Sequence, residues 1–219
     1  MRYQTLWWII AIIQMVKGRG IKRIRNKYGK FHIGDTHALI QFSFVDKAVR
    51  EVMAKYKGLV IDIGANIGTT TMVAVKAGAT VIAMEPAKKT FELLKENVKA
   101  NREETKVKLM NMAAWNKNGK LHLKYDKQLA LREVANEGEE INAITIDSLN
   151  VKPILIKIDV EGHTIEVIEG CENTIKLHKP DILFEARPDY NELQPVKSKL
   201  EERGYKLTKV NASNWLASA

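Results

Sequence analysis

The chain has 219 residues, a length that predicts one α/β domain with modest extensions. Hydrophobic residues make up 45% and charged residues 28%, which is typical of a globular soluble protein and not of a disordered one. The net charge of +9 favours polyanions or anionic membrane surfaces as partners, although many basic proteins have no such partner. A single cysteine, Cys171, excludes an internal disulfide and a cysteine metal cluster, and favours a reducing, cytoplasmic location.

Residues 1–44 are predicted to form an apolar and basic helical extension that covers the main domain. Residues 6–16 are apolar except for Gln14, but eleven residues are too few to cross a bilayer. Residues 17–30 then carry seven basic side chains and no acidic one. Residues 6–30 therefore have a composition that can lie in a membrane interface, at the inner face in a cytoplasmic protein. A helix packed on the domain or on a second subunit is the alternative, and the oligomeric state stays open.

Residues 45–219 are predicted to form the main domain. Before it, residues 31–44 mix β-forming residues with glycine and aspartate, which indicates a short hairpin or an irregular cover. Residues 45–56 have apolar side chains at helical spacing and predict an amphipathic helix. The next apolar run, residues 59–63, predicts a buried parallel strand, because its hydrophobic residues are nearly continuous.

A glycine-rich turn follows that strand and leads into a helix that begins at about Thr69. Gly64 allows a tight turn where a ligand comes close, and Gly68 allows the helix to pack near the strand. The spacing is G-x-x-x-G, so it lacks the pattern of dinucleotide sites and of phosphate-binding P-loops. The following strand, residues 79–84, ends at Glu85, where a carboxylate holds the ribose diol in a nucleoside-binding βαβ unit. An ordinary βα turn with a solvated Glu85 is the alternative.

The second half of the chain continues the alternation of strands and helices. Residues 126–140 are polar without a clear period, which indicates a loop that covers substrate or an idle surface excursion. Residues 154–158 predict the strand that brings Asp159 to the carboxyl edge of the sheet, facing the same crevice as Gly64. The other predicted strands comprise residues 107–114, 121–125, 141–149, 181–184, 205–210 and 214–217, and the other helices residues 87–101, about 164–175 and 193–203.

Two motifs in this order resemble the FkbM family of S-adenosylmethionine-dependent methyltransferases. The first is D-I-G-A-N-I-G with A-M-E-P after it, and the second, more specific one is L-I-K-I-D-V-E-G-H-T-I-E-V-I-E-G. The resemblance covers about residues 50–188. It implies a Rossmann-like, doubly wound, mostly parallel seven-stranded sheet with an antiparallel C-terminal strand, and S-adenosyl-L-methionine as the cofactor. The residues expected to bind it are Asp62, Gly64, Ala65, Asn66, Gly68, Glu85, Pro86, Asn111 and Ala113, of which Asn111 and Ala113 are placed near adenine by the resemblance.

Methyl transfer to a hydroxyl requires a base within hydrogen-bond reach of the acceptor. Asp159, His163 and Glu161 are the candidates, in that order of preference. Each has a structural alternative, since Asp159 could cap the next helix, Glu161 could organise the turn by accepting backbone N–H groups, and His163 could lie exposed in the first helical turn. No metal site is predicted, because His32 and His37 lack the spacing of metal ligands.

O-methylation of a hydroxyl on a small molecule or a glycan is the function that the resemblance implies, and the absence of an N-P-P-Y type motif favours it over amino methylation. The alternative is an RNA or other nucleic-acid methyltransferase, for which the net charge and the basic residues 17–30 are the motivation. A membrane-associated binding protein that has lost turnover is the third possibility.

Overall fold

The computed structural model describes residues 22–33, 47–126, 131–135 and 137–219. In chain order the strands are β1 (Lys22–Asn26), β2 (Gly29–Ile33), β3 (Leu59–Ile63), β4 (Thr80–Met84), β5 (Val107–Met110), β6 (Ala113–Ala114), β7 (Gly119–Asp126), β8 (Leu131–Ala135), β9 (Glu139–Ile144), β10 (Leu155–Ile158), β11 (Asp181–Glu185), β12 (Lys206–Lys209) and β13 (Asn214–Ser218). The helices are α1 (Lys47–Met53), α2 (Thr69–Ala77), α3 (Lys88–Ala100), α4 (Thr164–Glu169), α5 (Glu172–His178) and α6 (Leu193–Glu201). Short 3-10 helices cover Asp147–Leu149 and Pro188–Tyr190.

The central sheet has seven strands in the order β12-β13-β11-β10-β3-β4-β5. β5, β4, β3, β10 and β11 run parallel to one another, and β13 is antiparallel to both of its neighbours. The predicted α/β fold class is therefore confirmed. The strand order reverses at β3, which has β4 on one side and β10 on the other. In such sheets a ligand crevice opens beyond the carboxyl ends of the strands at this switch point.

Hydrophobic clusters on both faces of the sheet hold these strands in place. Ile61, Ile63, Ile156 and Ile158 contribute to one cluster, and the alternating residues of the same strands contribute to the other. Both faces of a parallel sheet are covered by helices, which explains why β3 and β10 are almost continuously apolar. The polar residues within them, Asp62 and Lys157, are the exceptions that mark the site.

A second sheet of four strands, in the order β6-β9-β7-β8, forms from the segment after β5. The prediction of a structureless segment over residues 126–140 was wrong for its described part, which contains β8 and the start of β9. β8 pairs with the long strand β7, so its hydrogen bonds come from a neighbour that the local residue pattern does not reveal. The strand predicted over residues 141–149 ends at Ile144 and gives way to a 3-10 helix.

The described part of the N-terminal region is a hairpin and not a helix. β1 and β2 pair antiparallel, and the side-chain oxygen of Asn26 accepts hydrogen bonds from the backbone N–H groups of Tyr28 and Gly29 in the turn between them. Hydrogen bonds between an asparagine side chain and nearby backbone groups favour a turn. The basic charges of this segment give no indication of that turn. The helical expectation for residues 1–21 concerns residues outside the described part. The membrane-interface hypothesis for residues 6–30 also falls mostly on those residues, and it stays a prediction.

Residues 34–46 also lie outside the part of the chain that the structure describes. Among the helices that the structure describes, none is long and apolar enough to traverse a bilayer.

Candidate active site

The loop between β3 and α2, residues 64–68, is called the cofactor loop. Gly64 has φ of 71°, and a Cβ atom there would lie 1.9 Å from the backbone oxygen of Asp159. The backbone N–H groups of Gly64 and Ala65 both donate to the carbonyl of Met84. Glycine is thus required at position 64 both by its left-handed backbone and by its approach to the end of β10.

Gly68 completes the loop and begins α2. Its φ is 92°, and a Cβ atom there would lie 2.6 Å from Leu94 Cδ1 on α3. Asn66 also has a positive φ, of 54°, and its side-chain oxygen accepts a hydrogen bond from the N–H of Ile67 (2.8 Å). Asparagine tolerates this conformation better than most residues, so Asn66 suits the middle of the loop.

Glu85 lies at the end of β4 and is 7% exposed. Its Oε2 accepts the N–H of Asn66 and its Oε1 accepts the N–H of Ala87, both at 3.0 Å. These two bonds fix the orientation of the carboxylate at the end of β4. The sequence analysis predicts that the carboxylate of Glu85, at this strand end, binds the ribose diol of the cofactor.

Asn111 connects the next strand to the same edge. Its Nδ2 donates to the backbone carbonyls of Glu85 and Pro86, each at 2.9 Å. Ala113 follows at the start of β6 and is buried. The structure therefore brings three of the residues predicted to bind the cofactor, Glu85, Pro86 and Asn111, to the same edge of the sheet. The glycine-lined loop and the oriented carboxylate fit a nucleoside.

Asp62 lies beneath the cofactor loop and is fully buried. The hydroxyls of Thr70 and Thr71 donate to its Oδ2 at 2.8 and 2.7 Å. Its Oδ1 lies 3.2 Å from Lys157 Nζ, in an ion pair whose geometry does not meet hydrogen-bond criteria. Asp62 thus ties β3 to the first turn of α2.

Lys157 is the residue that the sequence prediction missed at this position. Its Nζ donates to the carbonyl of Gly64 (3.0 Å) and lies 3.3 Å from Asp159 Oδ2. Burial alone would lower the pKa of Lys157, but the charges of Asp159 and Asp62 outweigh it and the pKa is raised. The buried ammonium therefore stays charged between the cofactor loop and Asp159. A lone lysine inside the apolar strand I-L-I-K-I was the available signal.

Three carboxylates, those of Asp159, Glu161 and Glu185, form the acid cluster. Their oxygens lie within 4.8 Å of one another. The side chain of Asp159 is 42% exposed and that of Glu161 is 20% exposed, so Asp159 is the more open of these two. The arrangement could hold a divalent cation, although Lys157 and Arg187 already supply positive charge to it.

Glu161 occupies the turn after β10 with φ of 48°. Arg187 Nη1 donates to its Oε2 at 3.1 Å, and the hydroxyl of Tyr190 donates to the same oxygen at 3.3 Å. Burial and the charge of Asp159 raise the pKa of Glu161, while Arg187 and Tyr190 oppose this. Glu161 therefore does organise a turn, but through side chains of a later segment.

Glu185, at the end of β11, was not among the predicted site residues. Burial, followed by the charges of Asp159 and Glu161, raises the pKa of Glu185 to about 8. The hydroxyl of Ser213 donates to its Oε1 at 3.2 Å. Near neutral pH this carboxyl holds a proton, because a third adjacent negative charge is unfavourable. Its position at a parallel strand end, next to that of β10, was the signal available in the sequence.

His163 immediately precedes α4 and lies against Trp115. The two ring centroids are 5.0 Å apart with the ring planes at 58°. Its Nδ1 is buried and lies 3.6 Å from Glu166 Oε1, which is too long for a hydrogen bond. His163 is partly buried and not the exposed residue of the structural alternative.

A seven-stranded sheet with one antiparallel C-terminal strand, a glycine loop and a carboxylate after the second strand defines the class of S-adenosylmethionine-dependent methyltransferases. The comparison with known families agrees, since the family described as "Methyltransferase FkbM domain" matches residues 62–207. The chain belongs to this family, and its cofactor is S-adenosyl-L-methionine.

Among curated proteins, the chain is similar to the hexuronic acid methyltransferase AglP of Haloferax volcanii, with 32% identity over 123 residues. The match covers 52% of this chain and 50% of AglP, so the chain spans about half the length of that relative.

Two solved structures share the fold. Methyltransferase FkbM from Methylobacillus flagellatus KT superimposes with a TM-score of 0.56 and 14% identity, covering 99% of this chain and 60% of that one. Precorrin-6y C5,15-methyltransferase from Geobacter metallireducens GS-15 superimposes with a TM-score of 0.52 and 18% identity, and the match covers 80% of this chain and 89% of that one. Likeness at this level of identity shows the fold alone.

Proposed function

We propose that the protein methylates a hydroxyl group on a glycan or a related small molecule. The observation that carries this proposal is the position of Asp159. This partly exposed carboxylate contacts the ammonium of Lys157, which in turn binds the carbonyl of Gly64 in the cofactor loop. A base and a donor site are thus held at a fixed separation by a buried group.

The donor site in this proposal is the cofactor loop with its two neighbouring strand ends. Glu85 binds the ribose diol, the backbone of residues 64–68 contacts the methionine part, and Pro86, Asn111 and Ala113 border the adenine. Asp62 supports the loop from below through Thr70 and Thr71. When bound, S-adenosylmethionine supplies an electrophilic methyl group, so the protein must chiefly align the acceptor and remove its proton.

Asp159 is the proposed general base, because its side chain is 42% exposed whereas that of Glu161 is 20% exposed and held by Arg187 and Tyr190. It would accept the proton of the acceptor hydroxyl while that oxygen bonds to the methyl carbon and the carbon–sulfur bond of the sulfonium breaks, which leaves S-adenosylhomocysteine as the product. The ammonium of Lys157, 3.3 Å from Asp159 Oδ2, holds this carboxylate in position. Glu161 is engaged by Arg187 and Tyr190, so we assign it to positioning, and His163 is the second candidate for the base.

A sugar acceptor is supported by the relative whose name describes a hexuronic acid methyltransferase. The match to that relative covers 52% of this chain and 50% of the relative.

The test is to incubate the protein with isotopically labelled S-adenosylmethionine and a panel of sugars, and to identify the labelled product by mass spectrometry. Asp159→Asn should lower kcat by roughly 10²- to 10⁴-fold, the usual contribution of a general base, while S-adenosylmethionine affinity changes little. His163→Gln is the matched comparison and should retain most activity. Full activity in Asp159→Asn, or its loss in His163→Gln alone, would reassign the base.

An RNA acceptor is the second candidate, and it is favoured by the net charge of +9. The exposed basic residues Arg25, Lys27 and Lys30 lie on the hairpin. An RNA substrate predicts binding that weakens steeply with added salt through counterion release. Acceptor binding that does not change with added salt would exclude this alternative.

A further inference from the structure

The buried side chain of Asn97, on α3, connects the N-terminal hairpin to the cofactor loop. Its Nδ2 donates to the carbonyl of Ile67 at 2.8 Å and to the carbonyl of His32 at 3.2 Å. Its Oδ1 accepts the N–H of His32 at 2.5 Å. Both amide hydrogens and the oxygen of one fully buried side chain are therefore used to join two segments that are distant in sequence.

Asn101, one helical turn further along α3, binds the same hairpin without reaching the loop. Its Oδ1 accepts the N–H of Lys30 at 2.8 Å, and its Nδ2 donates to the carbonyl of Lys30 at 2.7 Å. Its Nδ2 also donates to the backbone carbonyl of Asn97. Asn101 therefore pairs with the hairpin much as Asn97 does, but among the described residues it makes no hydrogen bond to Ile67.

The hairpin is held closely against α3 by these two amides. Lys30 and His32 alternate along β2, so their peptide groups point to the same side, where the asparagines pair with them as a neighbouring strand would. Phe31 between them is fully buried. A Cβ atom at Gly29 would lie 2.3 Å from Asn101 Oδ1, which shows how near the turn approaches the helix.

We propose that Asn97 is a positioning residue for the cofactor loop and that hairpin docking and S-adenosylmethionine binding strengthen each other through it. Asn97 donates to the carbonyl of Ile67, and removing a donor from a buried acceptor is costly because water cannot replace it. Ile67 lies between Asn66, which Glu85 binds, and Gly68, which begins α2. A shift of the Ile67 peptide thus changes both sides of the donor site.

Linkage makes this effect reciprocal. If a docked hairpin raises the affinity for the cofactor, then bound cofactor must stabilise the docked hairpin by the same factor. The inference depends on the cofactor site and not on the acceptor, so it goes beyond the proposed function.

The first experiment compares Asn97→Ala with Asn101→Ala in the full-length chain, using calorimetry to measure S-adenosylmethionine affinity and urea unfolding to measure stability. Both variants should lose stability. Asn97→Ala should bind the cofactor roughly five- to tenfold more weakly, the size expected for one buried hydrogen bond, and Asn101→Ala should stay within about twofold of the unmodified chain. Unchanged affinity in Asn97→Ala, or equal weakening in both variants, would overturn the proposal.

The second experiment needs no variant and so remains informative if Asn97→Ala does not fold. Amide hydrogen exchange at His32 and Lys30 is measured by NMR with and without S-adenosylmethionine. The cofactor should slow exchange at both amides. Identical exchange rates with and without cofactor would overturn the proposal. Because both experiments use the cofactor alone, an incorrect acceptor assignment would leave their outcomes unchanged.

Discussion

The cofactor loop and the acid cluster lie side by side at the carboxyl edge of the sheet, but they are built in different ways. The cofactor loop depends on main-chain conformation, since Gly64 and Gly68 have positive φ and backbone N–H groups bind Met84 and Glu85. The acid cluster depends on side chains from three places, the end of β10, the turn after it and the end of β11. A backbone-built site is specified by a short motif, whereas a side-chain cluster requires the whole sheet.

Replacing Gly64 with alanine should give the largest effect, because it directly changes the main-chain conformation on which the cofactor loop depends. The new Cβ atom would overlap the backbone oxygen of Asp159 and would require a left-handed conformation. We expect a loss of several kcal/mol in the free energy of unfolding and at least roughly 100-fold weaker S-adenosylmethionine binding, measured by urea unfolding and calorimetry.

Gly78→Ala is the matched control for this change. Gly78 also has a positive φ, of 106°, but a Cβ atom there would meet nothing within 4 Å. It should cost only about 1 kcal/mol and leave cofactor affinity unchanged. Equal losses in the two variants would mean that the approach of Gly64 to Asp159 is unimportant.

Lys157→Met should give the next largest effect, because Lys157 is the contact between the two regions. Its removal leaves Asp62 as an uncompensated buried charge, which typically costs 3–5 kcal/mol. Urea unfolding measures this loss, and the exposed Lys152→Met should change stability by less than about 0.5 kcal/mol. A Lys157→Met protein as stable as the Lys152→Met control would show that the two regions are independent.

Glu185→Gln should give the smallest effect, and its sign depends on pH. The pKa of Glu185 is raised to about 8 in the folded protein, so the folded state binds more protons than the unfolded state between the ordinary glutamate range and pH 8. Stability of the unmodified chain therefore falls as pH rises through that window. The neutral glutamine removes this fall, so the variant gains relative stability at pH 9 and gains little at pH 5.

Urea unfolding at both pH values checks this prediction. The exposed Glu104→Gln controls for the change in net charge. A pH-independent difference between Glu185→Gln and the unmodified chain would show that the pKa of Glu185 is not raised in the folded protein.

The sequence was sufficient for the cofactor loop and Glu85 because local spacing dictates them. A strand, two glycines and a carboxylate after the following strand determine one geometry, and the structure has it. The α/β class and the antiparallel last strand were also predictable, since apolar periodicity and the two motifs agree.

The partners within the acid cluster were not predictable in the same way. Arg187 and Tyr190 reach Glu161 from a segment more than twenty residues later, and only the folded sheet places them there. The strand β8 was missed because its hydrogen bonds come from β7. The segment that forms the hairpin was predicted to belong to a helical extension. A run of basic residues has no hydrophobic periodicity, so the sequence could not distinguish strands from a helix there.

The pairing of Asn97 and Asn101 with β2 also bears on association between chains. A strand at the edge of a sheet exposes backbone groups that can recruit another strand and start aggregation. The two asparagines occupy those groups at Lys30 and His32, on the side of the hairpin that faces α3. They therefore prevent these backbone groups from pairing with another chain. We expect the loss of both asparagines to lower the concentration up to which the protein remains monodisperse.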